Sequence, residues 1–420
     1  MWTWKVFHVP GLEAIAKNFE ETEGVKITVS AFNPDEVYRT KITTSAQSGD
    51  LPDVLSYWSQ GQWEMAATDL LLELTDQVDE AWQNDFLPGT FDKYGIFSQD
   101  KFDSCAKDDK CTFKNISVGQ VFSVPYLAGQ AYFVFGNRQI ISDAGLDPNT
   151  PPKTADEWLE MMKTIKAKTG VPGLVTGVQN PDVMHFWIFN PLAITSCGVE
   201  TYDAIYNGRG TFTNPCTMRV LDWLYQVAKE DLWMPGILQT NIDPADVAFS
   251  QGKAAFDVGG TYTLGFLLSQ GMDANNIISF AVPPLEGSVE KTLKVSPFPL
   301  IDAMVTKDCK KPEVAVKFLR FLTSPEQMSV FAKMTGDLPA VKVPADPEKV
   351  GSTMVGLLNA LSETSPFSES KAEILQEPGL VLKTGLQQFI TAETTPEELA
   401  PKIDAANEAA WGARGGPKNP

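Results

Sequence analysis

The chain has 420 residues, more than one hydrophobic core ordinarily organises, so at least two folding units are expected. Asp and Glu number 53 against 34 Lys and Arg, a net charge of −19, which repels a phosphate backbone and argues against nucleic acid as a partner. With 43% apolar and 21% charged residues the composition is that of an ordinary folded protein, and no apolar run reaches the roughly 18 residues that cross a bilayer.

Met1 to Phe7 lack the basic and apolar regions of an export signal and read as a strand; the chain is therefore cytoplasmic, or Met1 replaces a removed signal. After Val6 to Val9 and Pro10-Gly11, the apolar residues Leu12, Ile15, Ala16 and Phe19 recur at helical spacing. Gly24 ends that helix, and Val25, Ile27 and Val29 alternate with polar residues, so a second strand is predicted. Strand, helix, strand calls for a parallel sheet. The same grammar continues with a helix over Val37 to Ser48, a buried strand at Asp53-Val54-Leu55 and a helix over Trp63 to Leu74. From Asn84 to Gly119 the chain reads as an irregular surface insertion.

Extended segments follow from Gln120 to Tyr126 and from Gln130 to Phe135, before helices return with marked start signals. Thr154 with Glu157, Ser324-Pro325-Glu326-Gln327 and Thr395-Pro396-Glu397-Glu398 read as capping boxes, and Asn214-Pro215 and Asp243-Pro244 as further caps. The apolar stripes Val220, Leu221, Leu224, Val227 and Ala315, Phe318, Leu319, Leu322 read as core. Gly412 to Pro420 reads as a flexible tail.

Of five cysteines, Cys105 and Cys111 flank a short polar loop, and Cys197 and Cys216 adjoin Gly198 and Pro215. Two such pairings would leave Cys309 single and imply an oxidising compartment, although spacing alone leaves the connectivity open and five reduced thiols remain the alternative. With no Cys-x-x-Cys and only His8 and His185, in unrelated segments, neither a metal site nor a cofactor is expected. Nor is there a nucleophile elbow, a phosphate loop, a dinucleotide fingerprint or a zinc-protease motif, so no catalytic residue is assigned; acidic pairs are too numerous in this chain to be informative. His8 reads as a packing residue.

Aromatic residues in loop-like settings carry more information: Tyr57-Trp58, Phe186-Trp187, Trp233 before Pro235-Gly236, and Tyr262 after Gly259-Gly260. A sugar ring packs its C–H face on an aromatic side chain while its hydroxyls need fixed polar groups around the rim. Any one of these residues reads equally well as core.

Gly49-Asp50-Leu51-Pro52-Asp53-Val54 resembles the "Gly-x-x-Pro-Asp-Val" signature of the family 1 extracellular solute-binding proteins of ABC transporters, the carbohydrate-type relatives of maltose-binding protein. Leu72 to Asp76, Phe122 to Tyr126, Asn137 to Trp158, Phe249 to Phe256 leading into Gly260-Thr261-Tyr262, and Ala315 to Gln327 with Gly336-Asp337-Leu338-Pro339 resemble its later blocks, in the same order. The resemblance implies an α/β, periplasmic-binding-protein-like fold of two lobes joined by a multi-strand hinge, with the ligand in the interlobe cleft. The lobes would comprise residues 1–126 with 298–340, and 127–297 with 341–420. Carried over by position, Tyr57, Trp58 and Ser59 would line the cleft from the first lobe and Trp187 and Tyr262 from the second, with Ser296 and Asp337 completing the set. Two departures from the family stand out: Tyr262 replaces a frequent Trp, and no Gly-Gly pair occurs near Val295-Ser296-Pro297.

The implied protein is a monomer outside the cytoplasm, in the periplasm or lipid-anchored at the cell surface. It would capture a sugar by hinge closure and deliver it to the transmembrane subunits of an ABC transporter, without catalysis. The alternatives are another small polar solute (a polyamine, amino acid or polyol), a carbohydrate-active enzyme, or a binding module that reports to a chemoreceptor.

Overall fold

The computed structural model describes residues 1–108, 110–293, 297–363 and 374–417. They form two compact units, Met1–Gln130 with Ser296–Val355, and Ala131–Val295 with Gly356–Pro420, so the chain passes from one unit to the other three times. Among the described residues nine strands occur in chain order: β1 (Trp2–Thr3), β2 (Ser30–Ala31), β3 (Val54–Trp58), β4 (Val124–Gly129), β5 (Ala131–Asn137), β6 (Leu174–Val175), β7 (Phe256–Gly260), β8 (Ile277–Ala281) and β9 (Phe298–Val305).

In the first unit the sheet order is β2-β1-β3-β9-β4. The predicted parallel crossover is present: β1 pairs in parallel with both β2 and β3, while β9 runs antiparallel between β3 and β4. Helix Val9–Glu23 buries Leu12, Ile15, Ala16 and Phe19, the predicted stripe, and Gly24 closes it in the left-handed conformation. Phe19 meets Phe318 edge-on at 5.3 Å. A Cβ on Gly11 would come within 2.9 Å of the Phe331 ring, so the contact with helix Pro325–Thr335 requires glycine there.

Several elements differ from the sequence reading. The opening strand is only two residues long, because Thr3 Oγ1 accepts a hydrogen bond from the Lys5 amide (3.2 Å) and turns the chain into the 3-10 turn Val6–His8. Val25, Ile27 and Val29 pack against the core as half-buried residues, but only Ser30–Ala31 joins the ladder. The helix predicted to reach Leu74 stops at Ala67, and Asp69 takes a left-handed turn. Leu72 and Leu74 then donate their amides to Val305 and Val121, so this apolar run is extended chain docked on the sheet. The stretch from Asn84 to Gly119 is no surface insertion: it holds helices Phe91–Tyr94 and Gln99–Lys107 and buries Phe86, Phe91, Phe97 and Ile116 in the core.

The second unit has sheet order β6-β7-β5-β8, with β6 parallel to β7. Trp158, on helix Ala155–Thr169 capped by Thr154, packs against Trp223, Phe256 and Phe280. Ser324 and Thr395 cap their helices as predicted, and Asn214 caps Pro215–Lys229. Asp243-Pro244 instead falls inside the first turn of Ile242–Ser250, which Asn241 caps. Both disulfides form: Cys105–Cys111 in the first unit and Cys197–Cys216 in the second, with Cys309 free. In the tail, amides of Arg414, Gly415 and Gly416 bond back to Trp411 and Gly412; residues 418–420 lie outside the described residues. Among the described residues no helix is long and apolar enough to cross a membrane.

Candidate functional site

In open α/β sheets, ligands bind beyond the carboxyl ends of parallel strands, where loops leave the sheet and backbone amides point outward. Both units place aromatic side chains at those ends. In the first unit, β1 runs into Trp4, and β3 ends in Tyr57 and Trp58 and runs into Ser59. Trp4 stacks on Trp58 at 3.8 Å, and the Arg39 guanidinium carbon lies 4.0 Å from the Trp58 ring centroid. Two groups that close to one ring must occupy opposite faces, so the indole is sandwiched. Arg39 Nη1 also donates to the Tyr57 hydroxyl (3.1 Å), and the Tyr57 ring stands edge-on to Trp58. Burial raises the Tyr57 pKa, with Arg39 opposing, so the phenol keeps its proton and can donate.

Ser59 is held from below. Its hydroxyl donates to one oxygen of Asp302, on β9 opposite Tyr57, and Ser123 donates to the other at 2.6 Å. Burial pushes the Asp302 pKa up to about 6, with the two hydroxyls pulling it down. The next residue, Gln60, adopts a left-handed φ of 75°, and its side-chain oxygen accepts from Lys101 on the helix Gln99–Lys107. A Cβ on Gly61 would sit 2.4 Å from the Tyr57 ring, so glycine is what lets the loop fold back over that ring.

In the second unit, β7 delivers Gly259, Gly260, Thr261 and then Tyr262 at the start of helix Thr261–Ser269. A Cβ on Gly259 would collide with Thr263 at 2.2 Å, which explains that glycine. Trp187 lies 6.1 Å from Tyr262 with the rings tilted by 54°. It projects from a π-helical turn, Met184–Phe189, an irregularity that recurs at functional sites. The turn is anchored by a buried polar cluster: Tyr202 and Tyr206 both donate to Asn190 Oδ1 (2.9 Å each), so Tyr206 accepts from His185 Nε2 at 3.0 Å. Burial lowers the His185 pKa to about 3, with Lys383 adding to the shift, so the ring is a neutral donor. Near Tyr262, Asp246 and Asp257 lie within electrostatic reach of each other, and burial raises both pKa values; the Asp257 carboxyl oxygens are buried without a hydrogen-bond partner among the described residues. The Tyr262 hydroxyl is raised too, by burial and then by Asp246.

Of the residues expected at a ligand site, the structure groups Tyr57, Trp58 and Ser59 in one unit and Trp187 and Tyr262 in the other, all half-buried. Asp337 is buried, with Oδ2 2.5 Å from His8 Nε2. Ser296 lies outside the described residues. Trp233, singled out by its loop setting, is core, 5% exposed beside Leu174. Sequence reasoning missed Trp4, Arg39 and Asp302. The signal for Trp4 was its place directly after a strand of a parallel crossover; that for Asp302 was a lone carboxylate in an otherwise apolar strand. Nothing local marked Arg39. Among the described residues no cluster of three or more His, Cys, Asp or Glu side chains is arranged to hold a metal ion.

The family model of the bacterial extracellular solute-binding proteins matches residues 8–329. An uncharacterised ABC transporter extracellular-binding protein of Pyrococcus horikoshii is 23% identical over 347 residues, 80% of this chain and 69% of that protein. The multiple sugar-binding protein of Streptococcus mutans is 22% identical over 346 residues, 79% and 72% of the two chains. Among solved structures, a chitin oligosaccharide binding protein aligns over 98% of each chain with a TM-score of 0.62 and 19% identity, a likeness of fold. The match over residues 8–329 spans well over half of the sequence, and the chain belongs to the bacterial extracellular solute-binding protein family.

Proposed function

We propose that this chain is the solute-capturing component of an ABC importer and that its ligand is a sugar. The observation that carries the reading is the presence of paired aromatic side chains at the carboxyl ends of the parallel strands of both units: Tyr57 and Trp58 in one, Trp187 and Tyr262 in the other. Aromatic faces match the C–H patches of pyranose rings, and the Ser59, Tyr57 and Tyr262 hydroxyls supply rim hydrogen bonds. The multiple sugar-binding and chitin oligosaccharide binding relatives support the same ligand class.

In this reading the two units are two lobes, and the three passages of the chain between them form the hinge. Ligand touching both lobes binds the closed form better and shifts the population toward it. Tyr57, Trp58, Ser59, Ser296 and Asp337 serve the first lobe, and Trp187 and Tyr262 the second. The protein acts as a monomer outside the cytoplasm, hands the sugar to the importer's transmembrane subunits and leaves it chemically unchanged.

A thermal-shift screen of mono- and oligosaccharides with calorimetric follow-up tests this. A rise in melting temperature with at least one sugar, and recovery of that sugar intact by chromatography after incubation, is the expected result. Stabilisation by a polyamine or amino acid and by no sugar would overturn the ligand class, and a converted sugar would overturn the binding role.

A further inference from the structure

Tyr132 has a backbone conformation that its residue type disfavours. Its φ is 77°, in the left-handed region where a Cβ crowds the following carbonyl. The sheet register shows why: Ala131 lies opposite Gly260 and Phe133 opposite Gly259, so Tyr132 is an extra residue bulged out of β5 against β7. Bulges with a left-handed residue ordinarily place glycine there, and they re-aim the side chain they carry. Phe133, Val134 and Phe135, the next three residues of the strand, are fully buried, whereas Tyr132 is half-buried. The Tyr132 carbonyl is tied down by the Val282 amide at 2.8 Å, so the strained turn is held from β8's side.

The ring's surroundings are specific. Its backbone adjoins Gly259-Gly260, immediately before Tyr262, and its phenol lies within electrostatic reach of Tyr262, Tyr202 and Tyr206. These groups are Trp187's partner and the tyrosines that anchor Trp187's π-helical turn. Strained backbone that the surrounding structure holds in place is concentrated at functional sites, because relief by glycine is otherwise readily available to a sequence.

We propose that Tyr132 is a third aromatic contact for the sugar in the second unit, beside Trp187 and Tyr262, and that the bulge exists to aim its ring at that wall. The inference rests on the sugar-binding reading and adds a residue to it.

The test uses the full chain with maltotriose, raffinose and chitotriose as probes, taking forward whichever raises the wild-type melting temperature most. Y132A and Y132G both remove the ring, but only glycine relieves the left-handed strain. Each is expected to weaken binding about tenfold or more, with Y132G melting above Y132A, while Y132F stays within about threefold of wild type. A ring that served only packing would make affinity follow stability, with Y132G binding more tightly than Y132A; that result would overturn the proposal, as would wild-type affinity in both truncations, a Y132F loss as large as that of Y132A, or equal melting of Y132A and Y132G. In each of those cases the sugar reading stands. If no probe shifts the wild-type protein, the sugar reading fails and the role of Tyr132 falls with it.

Discussion

Asp302 is a buried carboxyl, 1% exposed, that accepts from the Ser59 and Ser123 hydroxyls, and burial pushes its pKa up to about 6 from an ordinary 3.8. A carboxyl with a raised native pKa stabilises the fold in full below the unfolded value, and that contribution is lost as pH rises through the native value. The loss therefore falls between about pH 4 and pH 7, where a melting curve can follow it. His185 works in the opposite sense, its depressed pKa favouring the fold above the ordinary histidine value and less so as pH falls toward 3. The difference between wild type and D302N isolates the carboxyl: the melting temperature of D302N is expected to depend less on pH between 5 and 7. An unchanged slope would show that Asp302 is already ionised in the native protein. Trp58 offers a second residue-scale test. With Trp4 on one face and Arg39 on the other, its ring is not free to stack on a sugar until Arg39 moves. An exposed cation–π contact is worth about 0.5–1 kcal/mol, so R39A is expected to tighten sugar binding two- to fivefold by calorimetry. Weaker binding would instead make the guanidinium itself a ligand contact.

The two disulfides act at the scale of elements. Cys197–Cys216 joins the end of helix Asn190–Cys197 to the start of helix Pro215–Lys229 across 19 positions, whereas Cys105–Cys111 closes a separation of 6. Loop-closure entropy grows with the logarithm of loop length, so removing the first is expected to cost about 3 kcal/mol and the second about 2. Denaturant melts of the paired serine variants check the order, and thiol alkylation of the native protein should label only Cys309. The segment carrying Cys105–Cys111 also adjoins the proposed site. Lys101 reaches Gln60, and Phe97 packs on Trp63 at 5.0 Å, so this segment supports the loop that follows Tyr57-Trp58-Ser59. Its many polar residues hid that role in the sequence, since spacing does not reveal that Phe97 packs on Trp63. Helix caps were far more legible, because a cap is a contact between a side chain and a backbone amide two or three residues away.

For the whole molecule, the proposed closure predicts that saturating sugar lowers the radius of gyration measured by small-angle X-ray scattering, and that a variant lacking both Trp187 and Tyr262 side chains shows no such change. A wild-type radius that ignores bound sugar would remove hinge closure from the account. What the sequence alone determined about this protein was local or statistical: the strand–helix–strand start, the apolar stripes of Val9–Glu23 and Pro312–Leu322, most caps, and membership of a solute-binding family through six ordered blocks. Those features depend on residues near each other in the chain. Only the tertiary structure decided that β9, some 240 residues downstream, inserts between β3 and β4 and brings Asp302 under Ser59. It also decided that Asp337 is spent on His8, and that a left-handed bulge re-aims Tyr132. Such pairings join distant segments, and their energy depends on burial and geometry that no short-range pattern encodes.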